Sequence, residues 1–242
     1  MADRLAKVFG TEEDRVNCPF YAKIGTCRHG DRCSRLHNKP LFSQSICFVH
    51  MYANPINSIP GVPTEEQEAA IGREFEDFFI DVFEEASKYG EISEIYVCDN
   101  ISEHLIGNVY IKYWVEEEAQ EAMTKMNGRL YHGKTVVGEF SPVTEFEQAR
   151  CRQYDEKKCT RGGHCNFLHF KEPRDDVFED LMCNQPHAGV NGEKIEKGRK
   201  RREKDRKARA RRNMDPNDPH INDDDPLKHL RGKVYEGVED DF

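Results

Sequence analysis

Two stretches of this chain repeat one spacing of metal-binding residues, and that spacing limits what either stretch can fold into. Cys18, Cys27, Cys33 and His37 are set as C-x8-C-x5-C-x3-H, and Cys151, Cys159, Cys165 and His169 as C-x7-C-x5-C-x3-H. Three thiolates and an imidazole are the donors of a closed tetrahedral zinc site, with no coordination position left open for catalysis. A segment this short cannot bury a core of its own, but zinc coordination supplies roughly 10–16 kcal/mol and folds the chain around the ion. One such pattern arises by accident; two sharing the C-x5-C-x3-H half predict two structural zinc ions. Cys47, Cys98 and Cys183 form no third set and read as buried or incidental thiols, while His29 and His164 fall outside the shared spacing.

The residues between the ligands indicate what each finger presents. The first, residues 18–37, offers Phe20, Tyr21, Arg28, Ser34 and Arg35; the second, residues 151–169, offers Arg152, Tyr154, Arg161, Asn166 and Phe167. Rings, guanidinium groups and small polar side chains on a tight loop suit unpaired bases, which stack on the rings and are read along their edges. Phe20, Arg28, Ser34, Arg35, Arg152 and Phe167 are the candidate RNA contacts. The alternative, that Phe20 and Phe167 only pack around the zinc, stays open from sequence alone.

The net charge of −9 argues at first against a polyanionic partner, but it averages over a segregated chain. Residues 18–39 carry five basic residues against one acidic, and residues 150–171 six against two, so each island is +4. Residues 64–89 carry nine acidic residues against two basic, or −7. A bound polyanion senses mainly charges within a Debye length, roughly 8–10 Å, so local sign outweighs the sum. No apolar run approaches the ~18 residues that span a bilayer, and the charged N-terminus lacks the apolar core of a signal peptide. The expectation is a soluble intracellular protein whose cysteines are zinc ligands or buried thiols, not disulfides.

Between the fingers, Ser45–Tyr52 reads as a strand and the Pro-rich 54–63 as a loop. Thr64-Glu-Glu-Gln67 then forms a capping box, and Phe75, Phe78, Phe79, Val82, Phe83 and Ala86 recur at helical steps up to Gly90. Ile92–Cys98 and Leu105–Tyr113 are β-rich runs separated by Asp99-Asn100, Val115–Met126 is helical, and Thr135–Phe140 is a last strand. The order β-α-β-β-α-β predicts an α+β, ferredoxin-like RNA recognition motif flanked by two small CCCH zinc fingers. Residues 107–113, GNVYIKY, partly match the third-strand signature of that motif. Asn108 and Cys47 stand where base-stacking aromatics belong, and only Tyr110 is kept. Each stacked base is worth about 1–3 kcal/mol, so the sheet is expected to have lost its usual RNA surface. A strand order of 4-1-3-2 places the start of strand one beside the end of strand four, so both fingers are expected at that edge, forming one composite RNA site.

The expected layout is residues 1–43 with the first finger, 44–145 the RNA-recognition-like domain, 146–172 with the second finger, 173–193 a linker, and 194–242 a basic then acidic tail. With 33% charged and 37% hydrophobic residues, the tail is the part least able to bury a core. Its Lys/Arg run, 194–212, reads as a solvated extension, a nuclear-import signal or an RNA-binding tail.

The arrangement, with NCPFYAKIGTCRHGDRCSRLHNKP, YVCDN, HLIGNVYIKY, SPVTEF and CRQYDEKKCTRGGHCNF, closely resembles the small subunits of the U2 snRNP auxiliary factor from residue 1 to about residue 185. The resemblance implies a nuclear role in pre-mRNA splicing: recognition of the AG dinucleotide at the 3′ splice site as a heterodimer with a large subunit. It also implies that the central domain is a U2AF homology motif, which binds a tryptophan-bearing peptide of that subunit. A basic peptide of this kind would meet Glu84 and Glu85, with apolar contacts near Phe79 and Phe83. The family's Arg-x-Phe motif falls on Arg129-Leu130-Tyr131; Tyr131 replaces Phe, and Leu130 stands where close relatives have a tryptophan. The arginine-serine tail of many relatives is replaced by the Lys/Arg run. Rival readings are a tandem-finger adaptor on AU-rich RNA in mRNA turnover, a zinc-dependent nuclease, and a scaffold without RNA. The nuclease fares worst, because protein ligands fill both metal sets. Neither a membrane nor a small-molecule substrate is expected.

Overall fold

The computed structural model describes residues 16–58 and 63–186. The basic run and acidic tail of 194–212 and 215–242 lie outside these described residues. In chain order the first finger holds α1 (Pro19–Ile24) and a 3-10 turn (Gly30–Arg32). The central domain follows with β1 (Ser45–Val49), α2 (Glu65–Ala86), β2 (Ile92–Cys98), β3 (Val109–Tyr113), α3 (Glu116–Met126), the short hairpin β4 (Leu130–Tyr131) and β5 (Lys134–Thr135), and β6 (Val137–Phe140). Next come α4 (Phe146–Ala149), α5 (Arg152–Asp155), a 3-10 turn (Gly162–His164), β7 (Phe170–Lys171) and α6 (Asp175–Asn184). No helix among the described residues is long and apolar enough to cross a membrane.

The capping box forms as the sequence predicts. The Gln67 amide donates to Thr64 Oγ1 (3.3 Å), and the Thr64 amide donates to Gln67 Oε1 (2.9 Å). Glu65, Glu66 and Glu68 occupy the first turn, where the helix dipole favours negative charge. From there Phe75, Phe78, Phe79, Val82, Phe83 and Ala86 all turn onto the sheet and are buried.

All strand pairings are antiparallel, in the order β6-β1-β3-β2-β7. The expected 4-1-3-2 order is present as β6-β1-β3-β2, and β7 is an added edge strand beside β2. The period-two alternation of the strands sorts side chains into two cores. Ile46, Phe48, Ile95, Val97, Val109, Ile111 and Tyr113 join α2 and α3. Cys47, Tyr96, Cys98 and Tyr110 join Ile24 of finger one, Val143, Phe146 and Ala149 of the crossing segment, and Leu168 and Phe170 of finger two.

That second core corrects the expected path of the chain. After β6 the chain does not leave finger two at the β1–β6 edge. Ser141–Ala149 runs across the sheet face, and finger two docks at the opposite edge, where Lys171 and Phe170 pair with Val97 and Cys98. The driving force is burial of Phe146 and Phe170 against the rings of Tyr96 and Tyr110 (centroids 4.4–5.5 Å apart). Tyr110 is 0% exposed and donates to the Ile24 carbonyl (2.9 Å). The sheet has lost its RNA surface because protein covers it. Asn108 is not a face residue: it is buried in the turn before β3, accepting from the His50 amide (3.0 Å) and donating to the His104 carbonyl (3.0 Å).

Residues 173–193, expected as a linker, hold α6. Phe178, Leu181 and Met182 pack on the helix-side core, with Phe178 6.0 Å from Phe79. The side-chain amide of Gln185 then pairs with the backbone of Ile92, its Oε1 accepting from the Ile92 amide (2.8 Å) and its Nε2 donating to the Ile92 carbonyl (3.2 Å).

Candidate metal centres and nucleic-acid cleft

The two fingers are one local fold built twice. In each, the first cysteine opens a short helix, a 3-10 turn precedes the third cysteine, and a parallel bridge closes the loop. The Cys18 amide donates to the Leu36 carbonyl (2.9 Å), and the Cys151 amide to the Leu168 carbonyl (2.9 Å). Gly30 and Gly162, both at positive φ, start the 3-10 turns that present Cys33 and Cys165.

This convergence brings the four donor atoms of each set within 4.8 Å of one another. Sulfur pairs lie 3.9 Å apart for Cys27 and Cys33, 3.9 Å for Cys151 and Cys159, and 3.8 Å for Cys151 and Cys165. Zinc–sulfur bonds of ~2.3 Å in a tetrahedron require about 3.8 Å between sulfurs. His37 Nε2 and His169 Nε2 are buried and without a hydrogen-bond partner among the described residues. A buried ring nitrogen in that condition is costly unless it binds a metal. Burial pushes the Cys27 and Cys165 thiols up to about 11, and burial beside Arg161 holds His169 down to about 4. The imidazole therefore stays neutral with its lone pair available, and zinc has to displace the thiol protons. Both sets fit structural zinc ions, and neither leaves an open coordination position.

Tyr21 and Tyr154, each three residues after a first cysteine, stack on the histidine ligands with ring centroids 4.6 and 4.0 Å apart. Their rings therefore brace the metal sites and are not presented for bases. Finger two is also held by the turn after β2. Asn100 donates to the carbonyls of Cys165 (3.2 Å) and Phe167 (3.1 Å) and accepts from the His169 amide (2.9 Å). Asp99 accepts from the Tyr154 hydroxyl (3.0 Å). The sequence marked Asp99-Asn100 only as a break between strands; a buried Asn satisfying a metal knuckle has no signal in one sequence.

The fingers meet in a cleft of about 300 Å³. Its floor is the first metal set, Cys18, Cys27 and Cys33, and its rim is Phe20, Arg28, Ser34 and Arg35 of finger one, Asn166 of finger two, and His104 from the loop between β2 and β3. Phe20 is 42% exposed, and Arg28, Ser34 and Arg35 are exposed. Four of the six candidate RNA contacts thus share one concave, basic surface. Arg152 stands exposed on α5, and the half-buried Phe167 lies under the Arg161 guanidinium, 5.9 Å from its ring centroid; neither lines the cleft. His104 was missed because it lies outside both finger patterns.

The second candidate surface is the end of α2 beside the β4–β5 hairpin. Glu85 is the hub: Lys88 (2.6 Å), the Tyr89 hydroxyl (2.7 Å) and Arg129 all donate to its carboxylate. Those donors hold its carboxyl down to about 2, Lys88 first among them. Tyr131 donates to Asp81 (3.3 Å) and sits edge-on to Phe78 (5.9 Å). Leu130 projects from the hairpin, 77% exposed, and Glu84 is exposed. Phe79 and Phe83 face the sheet and are buried, so they support this surface from beneath and present no ring to a partner.

Comparison with known proteins identifies the first finger and the central domain. Residues 13–39 match the family model for zinc fingers of the C-x8-C-x5-C-x3-H type (and similar), and residues 81–137 match the RNA recognition motif. The chain is 51% identical over 175 residues to a U2af small-subunit splicing factor of Arabidopsis thaliana, covering 71% of this chain and 62% of that protein. It is 49% identical over 185 residues to the splicing factor U2AF 23 kDa subunit of Schizosaccharomyces pombe, covering 76% and 85%. It is 47% identical over 190 residues to the splicing factor U2AF 26 kDa subunit of Homo sapiens, covering 77% and 86%. With paired zinc knuckles on a covered RNA-recognition sheet and identity of this extent, the chain belongs to the family of splicing factor U2AF small subunits.

Proposed function

We propose that this chain is the non-catalytic, RNA-reading subunit of a nuclear pre-mRNA splicing heterodimer. Its two fingers jointly hold the AG dinucleotide of the 3′ splice site, while the surface formed by α2 and the β4–β5 hairpin docks a basic, tryptophan-bearing peptide of the large subunit. The observation that carries this reading is the shared cleft: Phe20, Arg28, Ser34 and Arg35 of finger one meet Asn166 of finger two around one basic, aromatic-edged hollow, the setting that suits unpaired bases. The family relationship supports the splicing role. The covered sheet supports a central domain devoted to protein contact, since Tyr110 and Cys47 are buried and cannot stack a base. Partner contacts fall to Glu84, Glu85, Arg129, Leu130 and Tyr131, with an indole covered by Tyr131 and basic residues met by the carboxylates.

Fluorescence anisotropy of a labelled UUAGGU RNA and its UUACGU counterpart tests this. With zinc-loaded protein and a large-subunit peptide, AG is expected to bind at least about tenfold tighter, a difference of ~1.4 kcal/mol, with the preference abolished by a chelator. Equal, steeply salt-dependent binding of both RNAs would reduce the islands to electrostatic footing. A preference for UA-rich RNA would instead favour an adaptor of mRNA turnover.

A further inference from the structure

The loop between β2 and β3 belongs to neither finger, yet it forms part of the cleft. It is bonded to finger two: the Ile101 amide donates to the Gly163 carbonyl (2.9 Å), as do the Ser102 amide and hydroxyl (3.3 Å each). It is also tied to itself, with the Leu105 and Ile106 amides donating to the Ser102 carbonyl (2.9 and 2.8 Å). The Asn108 side chain donates to the His104 carbonyl (3.0 Å), and Leu105 beside it is fully buried. A connection held at so many points is a rigid support, and what it holds is the half-buried His104 ring, at the wall of the cleft facing Arg28 and His29 of finger one.

We propose that His104 is an RNA-contacting residue, the third wall of the cleft, which hydrogen-bonds the base held between the fingers. This rests on the reading that the cleft takes single-stranded RNA. The guanidinium groups of Arg28 and Arg35 only donate. A neutral imidazole adds an acceptor and a further donor, the combination that a base edge with an amino or imino hydrogen requires. Burial and the neighbouring Arg28 and His29 hold His104 below the ordinary imidazole value, with Glu103 opposing them, so the neutral form is the one in place at neutral pH. Because the same loop is bonded to finger two, the contact also links the base to the alignment of the two fingers.

The test uses the full zinc-loaded chain with UUAGGU and UUACGU RNAs. His104→Ala is expected to weaken the AG RNA about fivefold to tenfold, the worth of one hydrogen bond. The AC RNA should change less than about twofold, since electrostatic contacts dominate such binding. His104→Gln, which keeps a donor and an acceptor, should recover most of the loss. Unchanged affinity, or equal loss on both RNAs while the unsubstituted protein still discriminates, overturns the proposal. The His104 ring resonances of the unsubstituted protein, followed by NMR on adding UUAGGU, decide the matter where a variant loses zinc or melts early. A shift supports the contact, and unmoved resonances while those of the fingers shift overturn it. If the unsubstituted protein fails to prefer AG, the splice-site reading falls, and the same resonances still judge His104 as an RNA contact.

Discussion

Gly25 closes α1 at φ +82°, with its amide donating to the Tyr21 carbonyl. A Cβ added there would lie 2.6 Å from Ser141 Oγ and 3.3 Å from the Tyr110 ring. Only glycine meets both demands, a left-handed C-cap and the approach of finger one to the sheet. Gly25→Ala is expected to cost about 2 kcal/mol, read as a lower midpoint in urea denaturation, with finger one loosened from Tyr110. Asn100 plays the matching part for finger two. Asn100→Ala strips hydrogen bonds from two carbonyls and one amide around the second metal site. Unsatisfied buried groups cost about 1–3 kcal/mol each, so the loss is expected to exceed that of Gly25→Ala. Zinc release to a competing chelator should quicken for finger two while finger one keeps its rate. Equal rates at both sites would mean that Asn100 supports the sheet and not the knuckle.

The cluster of Glu85, Lys88, Tyr89 and Arg129 joins α2 to the β4–β5 hairpin and sets the shape of the proposed peptide surface. Arg129 is more than half exposed, so solvent screens the pair and its contribution to folding is small; its worth lies in positioning. Arg129→Ala should therefore leave the melting temperature nearly unchanged yet weaken a large-subunit peptide about tenfold in calorimetry, through lost orientation of the hairpin and of Tyr131. The acid limb follows from the sign of the Glu85 shift. Its carboxyl is held at about 2 in the folded chain against an ordinary 4.5. The stabilisation is therefore complete above about 4.5 and fades as pH falls from there toward 2. Glu85→Gln should flatten that part of the stability curve against pH, and a curve that coincides with the unsubstituted protein's would remove the hub.

Over the whole molecule, the fingers and the central domain share a core. Ile24 of finger one and Leu168 and Phe170 of finger two are packed with Cys47, Cys98 and Tyr110 of the sheet. Removing zinc is therefore expected to do more than unfold two loops. Chelation should uncover the sheet face, raise binding of a hydrophobic dye, and lower the thermal midpoint of the central domain. It should proceed more readily as pH falls, because the released thiolates take up protons. A central domain that melts at the same temperature with and without metal would mean that the shared core contributes little.

The zinc ligands, the capping box, β2 and the antiparallel core of the sheet were legible in the chain because each is written in local spacing: a metal knuckle, a helix cap and a period-two strand need only near neighbours. The side on which finger two docks was not legible, because it depends on which apolar residues meet over the sheet. Val143, Phe146 and Phe170 read as scattered hydrophobics until the crossing segment brings them to Tyr96 and Tyr110. The same holds for α6, whose apolar positions at 178, 181 and 182 carry weight only against the helix-side core, where Phe178 meets Phe79. Phe79 and Phe83 show the converse, since helical spacing marks them as apolar but only packing tells that they face inward. Sequence alone determined the two metal sites and the β-α-β-β-α-β order of the central domain, through local coordination and periodicity. Tertiary structure alone decided at which edge of the sheet finger two docks and that His104 stands in the wall of the cleft, because both depend on packing between segments far apart in the chain.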